Sequence, residues 1–172
     1  MADLTRADFS QETLQGKHFQ DDRLVGADFS EARLERVVFE RCDLSGVELT
    51  SAELVDCAFL GCSLEGARLF GSTLRGCKLT GSTFVRAQLR PLTVDGGDWS
   101  YVGLRGADLR GVSLTGLRLV EADLTDADLS GCDLTGVELT SAELVDCAFL
   151  GCSLEGARPF GSTLRGCKLT GS

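Results

Sequence analysis

The sequence predicts an all-β solenoid, a chain wound into stacked coils around one apolar core. Three observations predict it: a large apolar residue recurs at every fifth position, a small residue stands two places before it, and glycine commonly stands two places after it. An amphipathic helix repeats its apolar face near 3.6 residues and a half-buried strand near 2, so five belongs to neither. The repeat is then the architecture itself.

The 34 positions from Leu4 to Leu169 in steps of five are all Leu or Phe except Val94, Trp99 and Pro159, and the phase never slips. The column two places earlier holds Ala7, Ala27, Val47, Ala52, Ala107, Val112, Ala122 and Ala127. It also holds every cysteine: Cys42, Cys57, Cys62, Cys77, Cys132, Cys147, Cys152 and Cys167. Cysteine in such a column is a small buried hydrophobe, so we expect reduced thiols in the core. The column two places after the large residue holds 19 of the 21 glycines, as a turn needing unusual φ would. The two remaining columns are polar. In Ala107–Gly111, "ADLRG", two inward residues flank an outward one, the alternation of an extended segment, and a turn follows. Five residues therefore make one side of a coil. Stacked coils pair their backbones and bury ladders of Leu/Phe and Ala/Cys, forming a single domain over residues 1–172.

Lys and Arg number 17 against 26 Asp and Glu, a net charge of −9. Such a chain is repelled by nucleic acid and by anionic membrane, so direct DNA binding is disfavoured and basic surfaces are the natural partners. No apolar run approaches the roughly 18 residues of a membrane span. The opening "MADLTRADFS" has neither a basic nor an apolar leader region, and we expect a cytoplasmic protein. Nothing reads as catalytic. The single His18 lies in an outward column with no nucleophile arranged around it, and the cysteines show no C-x-x-C pair. No phosphate-loop motif is present, so no enzyme, cofactor or metal is expected.

The outward carboxylates are the candidate functional groups. Asp8, Asp28, Glu48, Asp108 and Asp128 share one outward register at intervals that are multiples of twenty residues, a column interrupted by Arg68 and Gln88. Asp3, Asp43, Asp123 and Glu143 fall in a second. Either these acids simply suit the repeat and stay solvated, or they form a line of negative charge imitating a DNA backbone.

The column pattern resembles the pentapeptide repeat family, consensus A(D/N)LXX, over essentially the whole chain. That resemblance implies a right-handed quadrilateral β-helix of four units and 20 residues per coil, here about eight and a half coils. Residues Ala87–Leu119, "AQLRPLTVDGGDWSYVGLRGADLRGVSLTGLRL", are similar to the MfpA-type and Qnr-type members. The likeness lies in the Leu-Arg-Pro-Leu-Thr segment and the Asp-aromatic step after it. It implies a DNA mimic that binds DNA gyrase, a type II topoisomerase, and protects against fluoroquinolones. It also implies dimers joined by a C-terminal helical module, whereas this sequence reads as repeat through "CKLTGS". An uncapped coil there would favour end-to-end self-association.

Residues 132–172 repeat residues 42–82 with two changes, Ser45/Thr135 and Leu69/Pro159, and agree even at outward Lys78/Lys168. We expect an engineered or chimeric chain, a natural repeat protein with a middle segment grafted onto its end. The alternative to the DNA mimic is therefore a lengthened solenoid scaffold with no retained activity. Pro159, replacing a large inward residue, should be a weak point.

Overall fold

The computed structural model describes residues 1–168, so Leu169 and the three residues after it lie outside the described part. In chain order the strands are β1 (Thr13–Gln15), β2 (His18–Gln20), β3 (Arg33–Glu35), β4 (Val38–Glu40), β5 (Glu53–Val55), β6 (Ala58–Leu60), β7 (Ser72–Lys78), β8 (Leu92–Asp98), β9 (Glu143–Val145) and β10 (Thr163–Arg165). Every pairing is parallel with partners 20 residues apart, as in Thr13↔Arg33, Arg33↔Glu53, Glu53↔Thr73 and Thr73↔Thr93. Isolated bridges carry the same offset on the other two sides, as in Asp3↔Arg23 and Asp8↔Asp28. One coil is thus 20 residues with four sides, and the described residues make about eight coils of a right-handed quadrilateral β-helix.

Local chemistry closes each corner. The N–H of Ala27 donates to the Leu24 carbonyl at 3.0 Å, and Gly26 between them has φ 63°. A left-handed third residue is the mark of a type II turn, where glycine escapes the steric penalty of a Cβ. The corner is strong enough to impose that conformation on other residues, including Arg6 (φ 58°), Asp126 (φ 61°) and Asp146 (φ 55°). The column is therefore a conformation first and a glycine preference second.

The expected ladders form the core. Leu24, Leu34, Leu54, Leu109 and Leu124 are fully buried, with Ala27, Val37, Ala67 and Ala122 beside them. Stacked phenylalanines measure the coil repeat: ring centroids lie 4.7 Å apart for Phe9 and Phe29, 5.0 Å for Phe19 and Phe39, and 4.8 Å for Phe39 and Phe59. These are the spacings of hydrogen-bonded strands, and eight such coils give a rod about 40 Å long. Seven cysteines are buried, Cys167 is half-buried, and all eight are free thiols.

The unbroken sequence phase conceals a break in the backbone ladder. Bridges join Arg68 to Gln88 and Asp108 to Asp128, but none joins Gln88 to Asp108 or Thr93 to Ser113. Two other sides stay paired there, through Thr83↔Gly103↔Asp123 and Asp98↔Arg118. On the open sides the coils part around a cleft of about 440 Å³ lined by Arg90, Pro91, Leu92, Arg110, Gly111 and Val112. Pro91 occupies a corner position, where its neighbour one coil back, Gly71, donates to the Pro91 carbonyl at 2.7 Å. Proline has no N–H to pass on to the next coil.

Pro159 is exposed, and it borders a small apolar hollow of about 110 Å³ with Leu139, Leu144, Phe149 and Leu164. The missing volume expected there is present. Pro159 also has no N–H to give in a column whose residues donate forward by nineteen positions, as Leu139 does to the Arg158 carbonyl at 2.9 Å.

Candidate interaction face

The outward column of each side is where the consensus aspartate sits, and it has a local task. Asp8 Oδ1 accepts from the Ser10 backbone N–H at 2.9 Å and from its hydroxyl at 2.6 Å. Asp28, Asp43, Asp123, Asp128 and Asp133 accept the backbone N–H two residues on at 2.8–3.1 Å. This is an Asx-type bond that satisfies an N–H left outside the ladder. Hydrogen bonds from Thr5, Ser10 and Thr135 hold Asp3, Asp8 and Asp133 below the usual carboxylate range. One carboxylate oxygen, Oδ1, thus serves the turn in each.

The structure stacks the expected column Asp8, Asp28, Glu48 and, separately, Asp108 and Asp128. The break between Gln88 and Asp108 divides it into two runs. Arginines then neutralise much of it. Arg68 reaches Glu48 at 3.2 Å, Arg90 reaches Asp108 at 3.1 Å, and Arg110 bridges Asp108 at 2.7 Å and Asp128 at 3.6 Å. The Arg110 guanidinium, with Arg90 assisting, drives the Asp108 carboxyl far below its ordinary range. In the second column Arg105 reaches Asp123 at 3.1 Å. Among the described residues no Lys, Arg or His side chain pairs with Asp8, Asp28 or Glu143.

Sequence reasoning missed two further acids. Asp126 and Asp146 stand in the corner column, both exposed and stacked one coil apart, with the Asp126 N–H on the Val145 carbonyl at 2.8 Å. Among the described residues neither pairs with a cation. With Glu143 on the adjoining side they make an acidic ridge without ion pairs among the described residues. The signal was available, because "LTDAD" and "LVDCA" place Asp where the repeat usually has Gly. His18 lies 3.3 Å from Glu40 and half exposed, with no nucleophile at hand.

Two family models match: "Pentapeptide repeat region" over residues 1–69, and "Pentapeptide repeats (8 copies)" over residues 57–90, 103–140 and 132–171. Comparison with curated proteins returns no match. Among solved structures, a trypsin-treated form of QnrB1, described as a plasmid-mediated fluoroquinolone resistance protein, superposes with a TM-score of 0.77. The two are 22% identical, and the alignment covers 98% of this chain and 87% of that one. A second trypsin-treated QnrB1 variant gives 0.64 at 21% identity, covering 98% and 88%. At such identities the likeness carries the fold. With the repeat unit, the coil of 20 residues and these matches in agreement, the chain belongs to the pentapeptide repeat family.

Proposed function

We propose that this chain is a non-enzymatic, cytoplasmic interaction protein whose acidic faces engage the basic DNA-binding surface of a type II topoisomerase such as DNA gyrase. Fluoroquinolone protection would follow from that engagement. The observation that carries the reading is the recurrence of outward carboxylates at one coil spacing on adjoining sides of a rigid rod. The likeness to QnrB1 in fold supports it, as does the resemblance of Ala87–Leu119 to MfpA-type and Qnr-type sequences. The charge density sets the strength. A net charge of −9 over about 40 Å is roughly two-fifths of the charge on the same length of duplex DNA. The contact is then expected to be salt-sensitive and to depend on the acids left without an ion pair.

The test is inhibition of gyrase supercoiling by the chain and by two double variants. Asp126→Lys with Asp146→Lys reverses the free ridge without breaking an ion pair, and should raise the half-inhibitory concentration at least tenfold. Asp8→Asn with Asp28→Asn removes the charge of the expected column while keeping an acceptor for the Ser10 and Ser30 N–H groups. Replacing Asp108 and Asp128 instead would face new lysines with Arg90 and Arg110, confounding charge with stability. Inhibition unchanged by both double variants would refute the reading.

A second reading has its own observation. Arginines pair with Glu48, Asp108 and Asp128, as a stable scaffold with no partner to meet would arrange. The near-copy at 132–172 fits such an engineered scaffold as well. Wild-type protein that leaves supercoiling untouched at low salt would favour it.

A further inference from the structure

The eight cysteines stand twenty residues apart in pairs, Cys42/Cys62, Cys57/Cys77, Cys132/Cys152 and Cys147/Cys167, one pair in each of the four inward small-residue ladders. Within a pair the two side chains are oriented alike. Cys57 Sγ donates to the Leu34 carbonyl at 3.4 Å and Cys77 Sγ to the Leu54 carbonyl at 3.5 Å. Cys42 and Cys62 repeat this toward Phe19 and Phe39 at 3.4 and 3.3 Å. Cys132 and Cys152 reach Leu109 and Leu129 at 2.9 and 2.6 Å, and Cys147 and Cys167 reach Leu124 and Leu144 at 2.8 and 2.6 Å. Each pair is therefore two translated copies, separated by one coil repeat, the 4.7–5.0 Å measured by the phenylalanine stacks.

That separation selects the chemistry. A disulfide brings its Cβ atoms to about 3.5–4.5 Å, closer than two directly stacked residues of a coil ladder. Two metal–sulfur bonds of about 2.3 Å set in line span about 4.6 Å, which matches. A tetrahedral ion would need two more donors, and no group of three or more His, Cys, Asp and Glu assembles among the described residues. A monovalent ion between two thiolates leaves a net negative charge in an apolar core, whereas a divalent one leaves none. We propose that the stacked cysteine pairs are buried two-coordinate sites for a soft divalent cation of the mercuric type. The reaction balances as two thiols and one divalent ion giving a neutral dithiolate complex and two protons.

Serine tolerates this column, because Ser82 is fully buried and makes the same bond, its hydroxyl donating to the Phe59 carbonyl at 3.0 Å. Cysteine-to-serine variants should therefore fold. The reduced native chain would be titrated with mercuric chloride, following ultraviolet charge-transfer absorbance, proton release and intact mass. Expected are four ions per chain, two protons per ion, an unchanged far-ultraviolet circular dichroism spectrum and a raised melting temperature. The double variant Cys57→Ser/Cys77→Ser should bind three ions and lose the matching absorbance. Eight ions per chain, or uptake only after denaturation, would overturn the proposal. So would ready formation of a native Cys57–Cys77 disulfide with diamide, which would show the spacing reasoning to be wrong.

Discussion

Gly97 stands where the repeat places a small inward side chain, and replacing it by alanine should be costly in a way the sequence alone does not explain. A Cβ built there lies 2.3 Å from the Cys77 carbonyl oxygen and 3.2 Å from the Cys77 nitrogen, and the backbone φ is 128°. The close atoms are backbone of the paired coil, Cys77↔Gly97, so no rotamer change relieves them. Overpacking of this kind costs about 1–3 kcal/mol, and an L-residue held at positive φ adds about 1–2 kcal/mol. Loss of glycine's freedom in the unfolded chain returns about 0.4–1 kcal/mol. The net is roughly 1–5 kcal/mol, centred near 3, or a melting temperature lower by about 6–12 °C at the centre for a chain of this size. Gly16→Ala is the control, because φ is 60° there but no atom lies within 4 Å of the added Cβ. Its cost should stay near 1 kcal/mol, the backbone contribution alone. Thermal melts followed by circular dichroism, with amide exchange along residues 77–98, would measure both. Equal melting temperatures for the two variants would show that the coils slide apart freely and that the contact at Cys77 is not limiting.

Pro159→Leu should fill the hollow beside Leu139 and Phe149 and raise the melting temperature by a few degrees, with slower amide exchange beyond Arg158. Exchange there already as slow as at residues 100–130 would contradict it. Native-state thiol labelling should modify half-buried Cys167 first and the other seven only on denaturation, read by mass. Acid should destabilise the rod. Asp3, Asp8 and Asp133 have folded pKa values below their unfolded ones, so their contribution is full above the ordinary carboxylate range and fades as pH falls from about 4 downward. A melting temperature flat between pH 5 and about 2 would contradict this.

Nearly all of the fold was legible because each column answers to a single demand. Large residues fill the interior, small ones line it, and the corner needs a left-handed backbone. What the columns could not show was a backbone interruption that leaves the side-chain phase intact. Pro91 in the corner column and Gly97 in the small column marked it, yet both are residues the repeat tolerates singly. The acidic face was half legible. Asp8, Asp28, Glu48, Asp108 and Asp128 do stack by sides, but Arg90 and Arg110 reach Asp108 from neighbouring positions, and periodicity does not encode where a long side chain ends. Asp126 and Asp146 were hidden because that column was read as turn rather than as surface.

The opened ladder between Gln88 and Asp108 has a consequence for how the rod comes apart. A solenoid is a one-dimensional chain of couplings, each coil held by its neighbours above and below. At this one junction two of the four sides carry no bridge, so the coupling between the fifth and sixth windings is weaker than any around it. Cooperativity should stop there. Heat or force would melt one half to that boundary while the other remained wound, and a single covalent chain would report two transitions.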